Sequence, residues 1–263
     1  MTAIDTLMDV VRARRSVRSF EPGHSVPRET LLQIMEAGRW APSGANAQHW
    51  DFICVDDPET RDRVRDVFLR QGQRLRAQTE RFPAVNKSFL ANTVAIVLVL
   101  GDDRWKACFP QGVGDAEDEY ARNNENIFFC SLGAAIQNIQ LATIAEGLTS
   151  AWLSGGGEDQ TAAELREVLG FPETARPYGT IPIGYPARYP ASKWRRPLEQ
   201  VVHFNRFEPE QYRPQELVDH YVHEVRPFAM YRPYARMEEW EDFRERAGAF
   251  ADAYTGRVTN PGA

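Results

Sequence analysis

The chain is poor in cysteine, and this excludes two classes of protein. Its 263 residues include three cysteines, Cys54, Cys108 and Cys130, which are widely spaced and form no C-x-x-C pair. Such spacing provides neither a disulfide framework nor a zinc site. We therefore expect reduced thiols, as in a cytoplasmic protein.

Long apolar runs and an excess of positive charge are also missing. The longest apolar run, Val94 to Leu100, has seven residues, whereas a membrane-spanning helix needs about 20. The first residues, MTAIDTLMDVVRARR, contain acids and no apolar stretch of the secretory type, so we expect no signal peptide. There are 31 Lys and Arg against 37 Asp and Glu, a formal net charge of −6. This balance argues against general binding to nucleic acid or membrane surfaces.

Hydrophobic periodicity predicts long helices separated by a few short strands. The expected helices are Thr6–Arg14, Pro27–Trp40, one beginning at Asp56 to Pro58, Asn126–Leu148 and Asp159–Leu169. The expected strands are Trp50–Val55, residues 92–100, Thr149–Leu153 and Thr180–Gly184. This order predicts an α+β fold, a mixed sheet within a helical shell. The helix over 126–148 is apolar nearly all round, which indicates a central or subunit-interface position.

The composition changes near residue 204, and this predicts two parts. Residues 204–254 contain eleven aromatic residues, too much apolar surface for a free tail. We expect a domain over 1–203 and an extension over 204–263 that packs on its own domain or on a partner subunit.

Four short stretches are candidates for ligand binding. RARRSVR at 12–18 has four arginines and a serine suited to phosphate, or forms a basic face paired with nearby acids. PSGANAQ at 42–48 lets backbone amides approach a flat polar ligand, or is a plain loop. SGGG at 154–157 lacks the third glycine of a dinucleotide fingerprint and is a ligand contact or a turn. IGYPA at 183–187 precedes KWRRPL at 193–198, whose charges complete a phosphate site or lie on the surface.

Together with GLTSAW at 147–152, and taken in order, these stretches resemble the motifs of the FMN-dependent nitroreductase family. The family's R-R-S-x-R box corresponds to RRSVR at 14–18, and its A-P-S-x-x-N-x-Q loop to residues 41–48. The resemblance covers about residues 8–203. It implies a mainly antiparallel central sheet and a homodimer with FMN at the subunit interface.

The resemblance also implies a role for each site residue. Arg14, Ser16, Lys193 and Arg195 would grip the FMN phosphate, with Arg15 adjacent, and Arg18 would face the N1/O2 side of the flavin. Pro42, Ser43, Gly44 and Asn46 match a loop that meets the flavin, commonly from the second subunit. Ser154 and Gly155 align with the contact to flavin N5. The flavin does the chemistry, so no catalytic side chain and no metal is expected.

The implied activity is ping-pong reduction of a small aromatic acceptor, a nitroarene or quinone, with NADPH or NADH as donor. Relatives remove halogen from phenols, reduce activated alkenes or oxidise substrates, so these reactions are alternatives. Two further alternatives are a flavin-binding protein without turnover and an anion-binding module without flavin. His49 departs from the family pattern, which usually has proline there.

Two charged patterns stand apart from these motifs. The basic stretch 61–87 suggests a surface that steers an anionic substrate, or a solvated helix. His220 and His223 lie three apart on a predicted helix, where a solvated face is preferred to a metal site.

Overall fold

The computed structural model describes residues 2–78, 87–108, 114, 117–190 and 195–225. Two compact units divide the chain, one of Met1–Thr79 with Asn86–Ala191 and one of Glu80–Val85 with Ser192–Ala263. The domain predicted over 1–203 and the extension predicted over 204–263 stay predictions.

The first unit is built on one four-stranded sheet. Its strands are β1 (Trp50–Val55), β2 (Ala95–Asp102), β3 (Thr149–Ser150) and β4 (Ala175–Gly184), in the order β1-β2-β4-β3. All three strand pairs are antiparallel, and an isolated parallel bridge joins Ser16 to Ser150. The predicted α+β fold with a mixed, mainly antiparallel sheet is confirmed.

Strand β2 is buried along its whole length because both faces of the sheet are covered. Val97 and Val99 point to one apolar cluster, which includes residues of helix α4 (Glu117–Ala145). Ile96, Leu98 and Leu100 point to a second cluster with residues of helix α3 (Pro58–Gln78). Side chains alternate between the faces of a strand, so an unbroken apolar run is required at this position.

Four more helices complete the described part of the chain. They are α1 (Ala3–Ala13), α2 (Arg28–Arg39) and α5 (Asp159–Leu169) in the first unit, and α6 (Gln215–His220) in the second. Helix α2 packs on α4, and α3 packs on α5. Each predicted helix of the first unit is present: α5 has the predicted bounds, and the other helices differ from the prediction at one or both ends.

Helix α4 begins earlier than predicted and is the one described helix long and apolar enough to cross a membrane. That stretch is Tyr120–Ala145, and 44% of its most apolar window is buried inside the molecule. Phe128, Leu132, Ile136 and Ile139 of this helix are all core residues. The helix is therefore consistent with the core helix predicted from its sequence.

Strand β4 also begins earlier than predicted, because a bulge accommodates unfavourable residues. Val99 pairs with Gly179 and Leu100 with Pro177, which leaves Tyr178 as the extra residue. The Tyr178 ring packs against Phe128, with 5.4 Å between the ring centroids. Pro177 and Gly179 are unfavourable inside a strand, and the bulge allows the strand to continue through them.

The described part of the second unit is short turns and one helix. It contains 3-10 turns at Leu198–Gln200 and Pro209–Gln211, helix α6, and a π-helical turn at Tyr221–Val225. Phe204, Phe207 and Tyr212 are exposed here. The aromatic residues after 225 lie outside the described residues, so the packing of the extension stays a prediction.

Candidate active site

The RRSVR motif lies along the open edge of strand β3. Helix α1 ends at Ala13, and Arg14 then adopts an extended conformation with φ −58° and ψ 125°. The amide of Val17 donates to the carbonyl of Ser150 at 3.0 Å, next to the bridge between Ser16 and Ser150. Val17 is fully buried, whereas the neighbouring Arg18 is exposed. The alternation therefore buries one valine and directs the side chain of Arg18 outward.

The arginines of this motif have different surroundings. Arg15 donates to the carbonyls of Arg12 and Arg14, and its guanidinium lies 6.0 Å from the centre of the Tyr189 ring. Arg18 makes no hydrogen bond or ion pair within the described residues. Surrounding protein atoms nevertheless desolvate its guanidinium and lower its pKa. A cation that is partly desolvated and has no counter-charge is suited to binding an anion.

The IGYPA motif lies beside the chain that follows RRSVR. Strand β4 ends at Gly184, where a Cβ would lie 2.8 Å from Cδ1 of Phe20. Phe20 also forms an isolated bridge with Pro186, and the amide of Ala187 donates to the carbonyl of Ser19 at 3.0 Å. Two motifs that are far apart in the sequence are thus adjacent in space.

The 42–48 loop is strained and is held on helix α4. Ala45, Asn46 and Gln48 have φ values of 52°, 52° and 44°, in the left-handed region that costs energy for residues other than glycine. The amide of Gln48 donates to Oγ of Ser43 at 3.0 Å. The amide of Gly44 donates to Oγ of Ser131 on α4 at 3.3 Å. Strain of this kind persists where the surroundings fix the backbone, and it is frequent at binding sites.

His49, the departure from the family pattern, fastens the end of this loop. Its side chain is buried, and its ring stacks on Phe128 with 4.3 Å between centroids. Its Nε2 lies 3.1 Å from the carbonyl of Phe128; because a carbonyl only accepts, Nε2 carries the hydrogen. Burial lowers the pKa of His49, which favours the neutral ring. The histidine therefore replaces the rigidity of a proline with a contact to α4.

The 154–157 loop follows β3 and is fixed at several points. Oγ1 of Thr180 donates to the carbonyl of Gly155 at 3.2 Å, and Arg176 donates to that of Gly157 at 3.1 Å. Gly156 has φ +121°, which only glycine adopts readily. The side chain of Ser154 remains exposed. The loop backbone is thus fixed in position, and it follows the strand, β3, that pairs with RRSVR.

Sequence reasoning missed Gln71 and Glu158, which also hold this loop. Nε2 of Gln71 donates to Oε2 of Glu158 at 2.7 Å, and that oxygen accepts from the amide of Gly156 at 3.0 Å. A glutamine in the middle of a helix gives no sequence signal of such a contact. Glu158 precedes α5 without capping it through its side chain, so its bond to the amide of Gly156 gave no sequence signal either.

The predicted second basic group is only partly described. Lys193 lies outside the described residues, and Arg195 belongs to the second compact unit. Their contact with a phosphate stays a prediction. No group of three or more His, Cys, Asp or Glu side chains suited to a metal ion occurs among the described residues.

Two arginines of helix α3 pair with α5 and a third pairs within α3, which weakens the steering hypothesis. Arg70 and Arg74 both pair with Glu164, at 2.7 Å for the Arg70 contact, and Arg74 also donates to Thr161. Arg65 pairs with Asp62 and Asp66 on its own helix. These charges are neutralised within the molecule, so we assign them a structural role.

Sequence and structure comparisons identify the class of protein that this fold and edge site define. The model of the nitroreductase family matches residues 11–185, and the chain belongs to this family of oxidoreductases. The resemblance inferred from the motifs is therefore confirmed.

Individual relatives agree with this assignment. YfhC of Bacillus subtilis, named as an NAD(P)H nitroreductase, is 25% identical over 73% of this chain and 90% of its own length. Iodotyrosine deiodinase 1 of Mus musculus is 28% identical over 74% of this chain and 67% of its own. The solved structure of an FMN-dependent nitroreductase from Clostridium difficile has a TM-score of 0.54 at 23% identity, covering 76% of this chain and 99% of that one. This last likeness supports the fold.

Proposed function

We propose that the protein is an FMN-dependent oxidoreductase that uses NADPH or NADH to reduce a small aromatic acceptor of the nitroarene or quinone type. One observation carries the proposal: Arg18, which is exposed, partly desolvated and without a hydrogen bond or ion pair to any described residue, lies at the sheet edge that leads into the 154–157 loop. A positive charge beside exposed backbone fits a ligand that has an anionic tail and an electron-rich ring.

The residues that match the family motifs would divide the recognition of FMN between them. Arg14, Ser16, Lys193 and Arg195 would hold the phosphate, with Arg15 adjacent to them. Arg18 would place its charge at the N1/O2 edge of the ring, where it favours electron uptake. Ser154 and Gly155 would present their backbone to N5. Bound FMN would supply hydride transfer. The chain would then have to orient the flavin and the substrate and exclude water from them, rather than provide an acid or base.

The proposed enzyme is a homodimer with FMN at the subunit interface. Helix α1 buries none of its residues, and its Ile4, Leu7 and Val11 are 59%, 51% and 38% exposed. Such a row of apolar side chains on one face indicates a partner. Pro42, Ser43, Gly44 and Asn46 would then meet the flavin of the second subunit. We also propose a cytoplasmic location, which suits the free thiols of Cys54 and Cys130.

Purification and anaerobic reduction test the activity. We expect a yellow protein whose visible absorbance is bleached by NADPH or NADH and restored by a nitroarene or quinone. A colourless protein that does not take up FMN contradicts the proposal and favours an anion-binding module. A yellow protein that neither nucleotide bleaches is a flavin-binding protein without turnover.

A second candidate function is reductive removal of halogen from a phenol. The similarity to iodotyrosine deiodinase 1 favours it, and it would use the same FMN site. Halide release from a halogenated phenol by the reduced protein, compared with nitroarene and quinone turnover, ranks the two functions.

Substitution of Arg18 tests its role directly. Arg18→Gln removes one charged contact, worth about 1.5–3 kcal/mol, and should lower kcat/KM by about 10- to 100-fold. Arg18→Lys should recover part of the loss. Arg63→Gln is the matched control, because Arg63 is exposed on α3 and makes no hydrogen bond or ion pair within the described residues. An Arg18→Gln protein with unchanged kinetics would remove Arg18 from the site.

A further inference from the structure

A row of polar side chains connects the interior of the first unit to the 154–157 loop. Nζ of Lys87 donates to Oε1 of Gln71 on α3. The amide nitrogen of Gln71 donates to Oε2 of Glu158 at 2.7 Å, and the same oxygen accepts from the amide of Gly156 at 3.0 Å. Three side chains from separate parts of the sequence thus end on one loop amide.

Most of this row is buried. Gln71 is 2% exposed and Lys87 is 9% exposed. Nζ of Lys87 also lies 4.8 Å from the centre of the Phe68 ring. An apolar side chain of similar size would fill this space without the cost of desolvating an amine, and that cost lowers the pKa of Lys87 to about 8. These two buried groups hydrogen-bond in sequence toward Glu158, which is itself exposed, and so fix the direction of its side chain.

The backbone of the loop packs closely against the side-chain amide of Gln71 at Gly155. A Cβ on Gly155 would lie 2.7 Å from Nε2 of Gln71, so glycine is required for the amide group to pack there. The carbonyl of Gly155 is held by Thr180 on the other side. Gly155 is therefore fixed between a strand residue and a helix residue.

We propose that Gln71, Lys87 and Glu158 are positioning residues, which hold the 154–157 loop so that the backbone of Ser154 and Gly155 faces the flavin ring. The role toward flavin rests on the proposed function. The hold on the loop does not, since every contact in it is made by the chain itself.

Hydrogen exchange without flavin tests the hold on the loop. In Glu158→Ala, amides in a peptide spanning 154–157 should exchange at least tenfold faster than in the wild type. Glu158→Gln keeps an acceptor oxygen and should stay within about twofold of the wild type. Glu167→Ala, which removes an exposed glutamate of helix α5, the helix that follows Glu158, is the matched control and should change nothing. Unchanged exchange in Glu158→Ala, or no rescue by Glu158→Gln, overturns the proposal.

Flavin spectroscopy tests the link to the site. In the FMN-loaded Glu158→Ala protein, the visible absorbance band and the midpoint potential should both shift, while Glu158→Gln should match the wild type. A shifted exchange rate with an unchanged band and potential overturns the positioning role. Wild-type protein that binds no FMN would refute the proposed function instead, and the exchange experiment would still decide whether the row holds the loop.

A double variant is useful if a single substitution at Gln71 or Lys87 prevents folding by leaving the other buried polar group unpaired. Gln71→Leu with Lys87→Met replaces both buried polar groups by apolar ones of similar size, so that neither is left unpaired. It should fold, as judged by its thermal transition, and should show the same faster exchange at 154–157. A folded double variant with wild-type exchange overturns the proposal.

Discussion

At the scale of single residues, Lys87 lies in an environment that disfavours its positive charge. It is a buried amine beside an aromatic ring, and burial lowers its pKa to about 8 although the Glu158 carboxylate partly opposes this. The neutral form is therefore favoured in the folded chain relative to the unfolded one. Stability should depend on pH through this one residue.

Comparison of Lys87→Met with the wild type isolates that dependence. Above the pKa of about 8 in the folded state, the unfolded chain binds more protons at Lys87 than the folded chain does. The wild type should therefore gain about 2 kcal/mol of unfolding free energy relative to Lys87→Met between about pH 7.5 and 9.5. Urea unfolding across this range measures it.

Both the direction of this change in unfolding free energy and the pH range in which it occurs can be contradicted by the measurement. Below about pH 7.5 the difference between the two proteins should be constant, because Lys87 is protonated in both states. Lys106→Met, which removes a lysine outside this polar row, is the control. A difference that stays flat up to pH 9.5, or that widens in favour of Lys87→Met, would show that the amine is hydrated in solution.

At the scale of elements, the sequence predicted what depends on local pattern. Strand β1 and helix α5 have the predicted bounds, because alternation or helical spacing is unbroken and turn residues flank them. The start of β4 was wrong, because the bulge at Tyr178 depends on pairing with β2. The start of helix α4 was wrong, because its first turns are polar and only the apolar part had been recognised.

The candidate site could be predicted only where it consists of continuous motifs, and the contact of these motifs with flavin stays a prediction. RRSVR and the 154–157 loop were found as short strings, and the structure connects them through the Ser16–Ser150 bridge. Gln71 and Lys87 were not found, because a glutamine on a helix and a lysine beside a loop have no distinguishing pattern. Their role arises from the packing of α3 against the loop, which no local spacing encodes.

The close approach of α2 to α4 provides a test at this scale. A Cβ on Gly38 would lie 2.7 Å from Cγ1 of Ile139, so the two helices touch through this glycine. Gly38→Ala should gain about 1 kcal/mol in helix propensity and lose about 1–3 kcal/mol to overpacking, a net destabilisation. Chemical unfolding measures the net change.

The same substitution should reach the 42–48 loop, because α2 leads directly into it. An outward shift of α2 would disturb the contact of Gly44 with Ser131 and weaken flavin binding. Gln33→Ala, at an exposed position of the same helix, should change the unfolding free energy by less than about 0.5 kcal/mol. If Gly38→Ala is more stable than the wild type, the helices are not in contact at this position.

At the scale of the whole molecule, several large apolar side chains are exposed on the described surface. Besides the α1 row, Leu32 and Trp40 of the α2 region are 62% and 74% exposed. Trp40 is nevertheless fixed, since its Nε1 donates to Glu36 at 2.7 Å and Arg39 lies over its ring. A rigid, exposed indole is typical of the residues that anchor protein interfaces.

In the proposed homodimer, flavin binding would depend on association of the chains. If the 42–46 loop completes the FMN site of the partner, dilution that separates the subunits should also release FMN. We expect sedimentation of two chains with two FMN, and an apparent FMN affinity that falls on dilution below the dimer dissociation constant. Leu7→Glu places a charge in the α1 row and should weaken both association and FMN binding, whereas Thr6→Glu, one residue away on a different side of the helix, should affect neither. Because both quantities are coupled through one interface, they must change together; a Leu7→Glu monomer that retains wild-type FMN affinity would show that each chain holds its flavin alone.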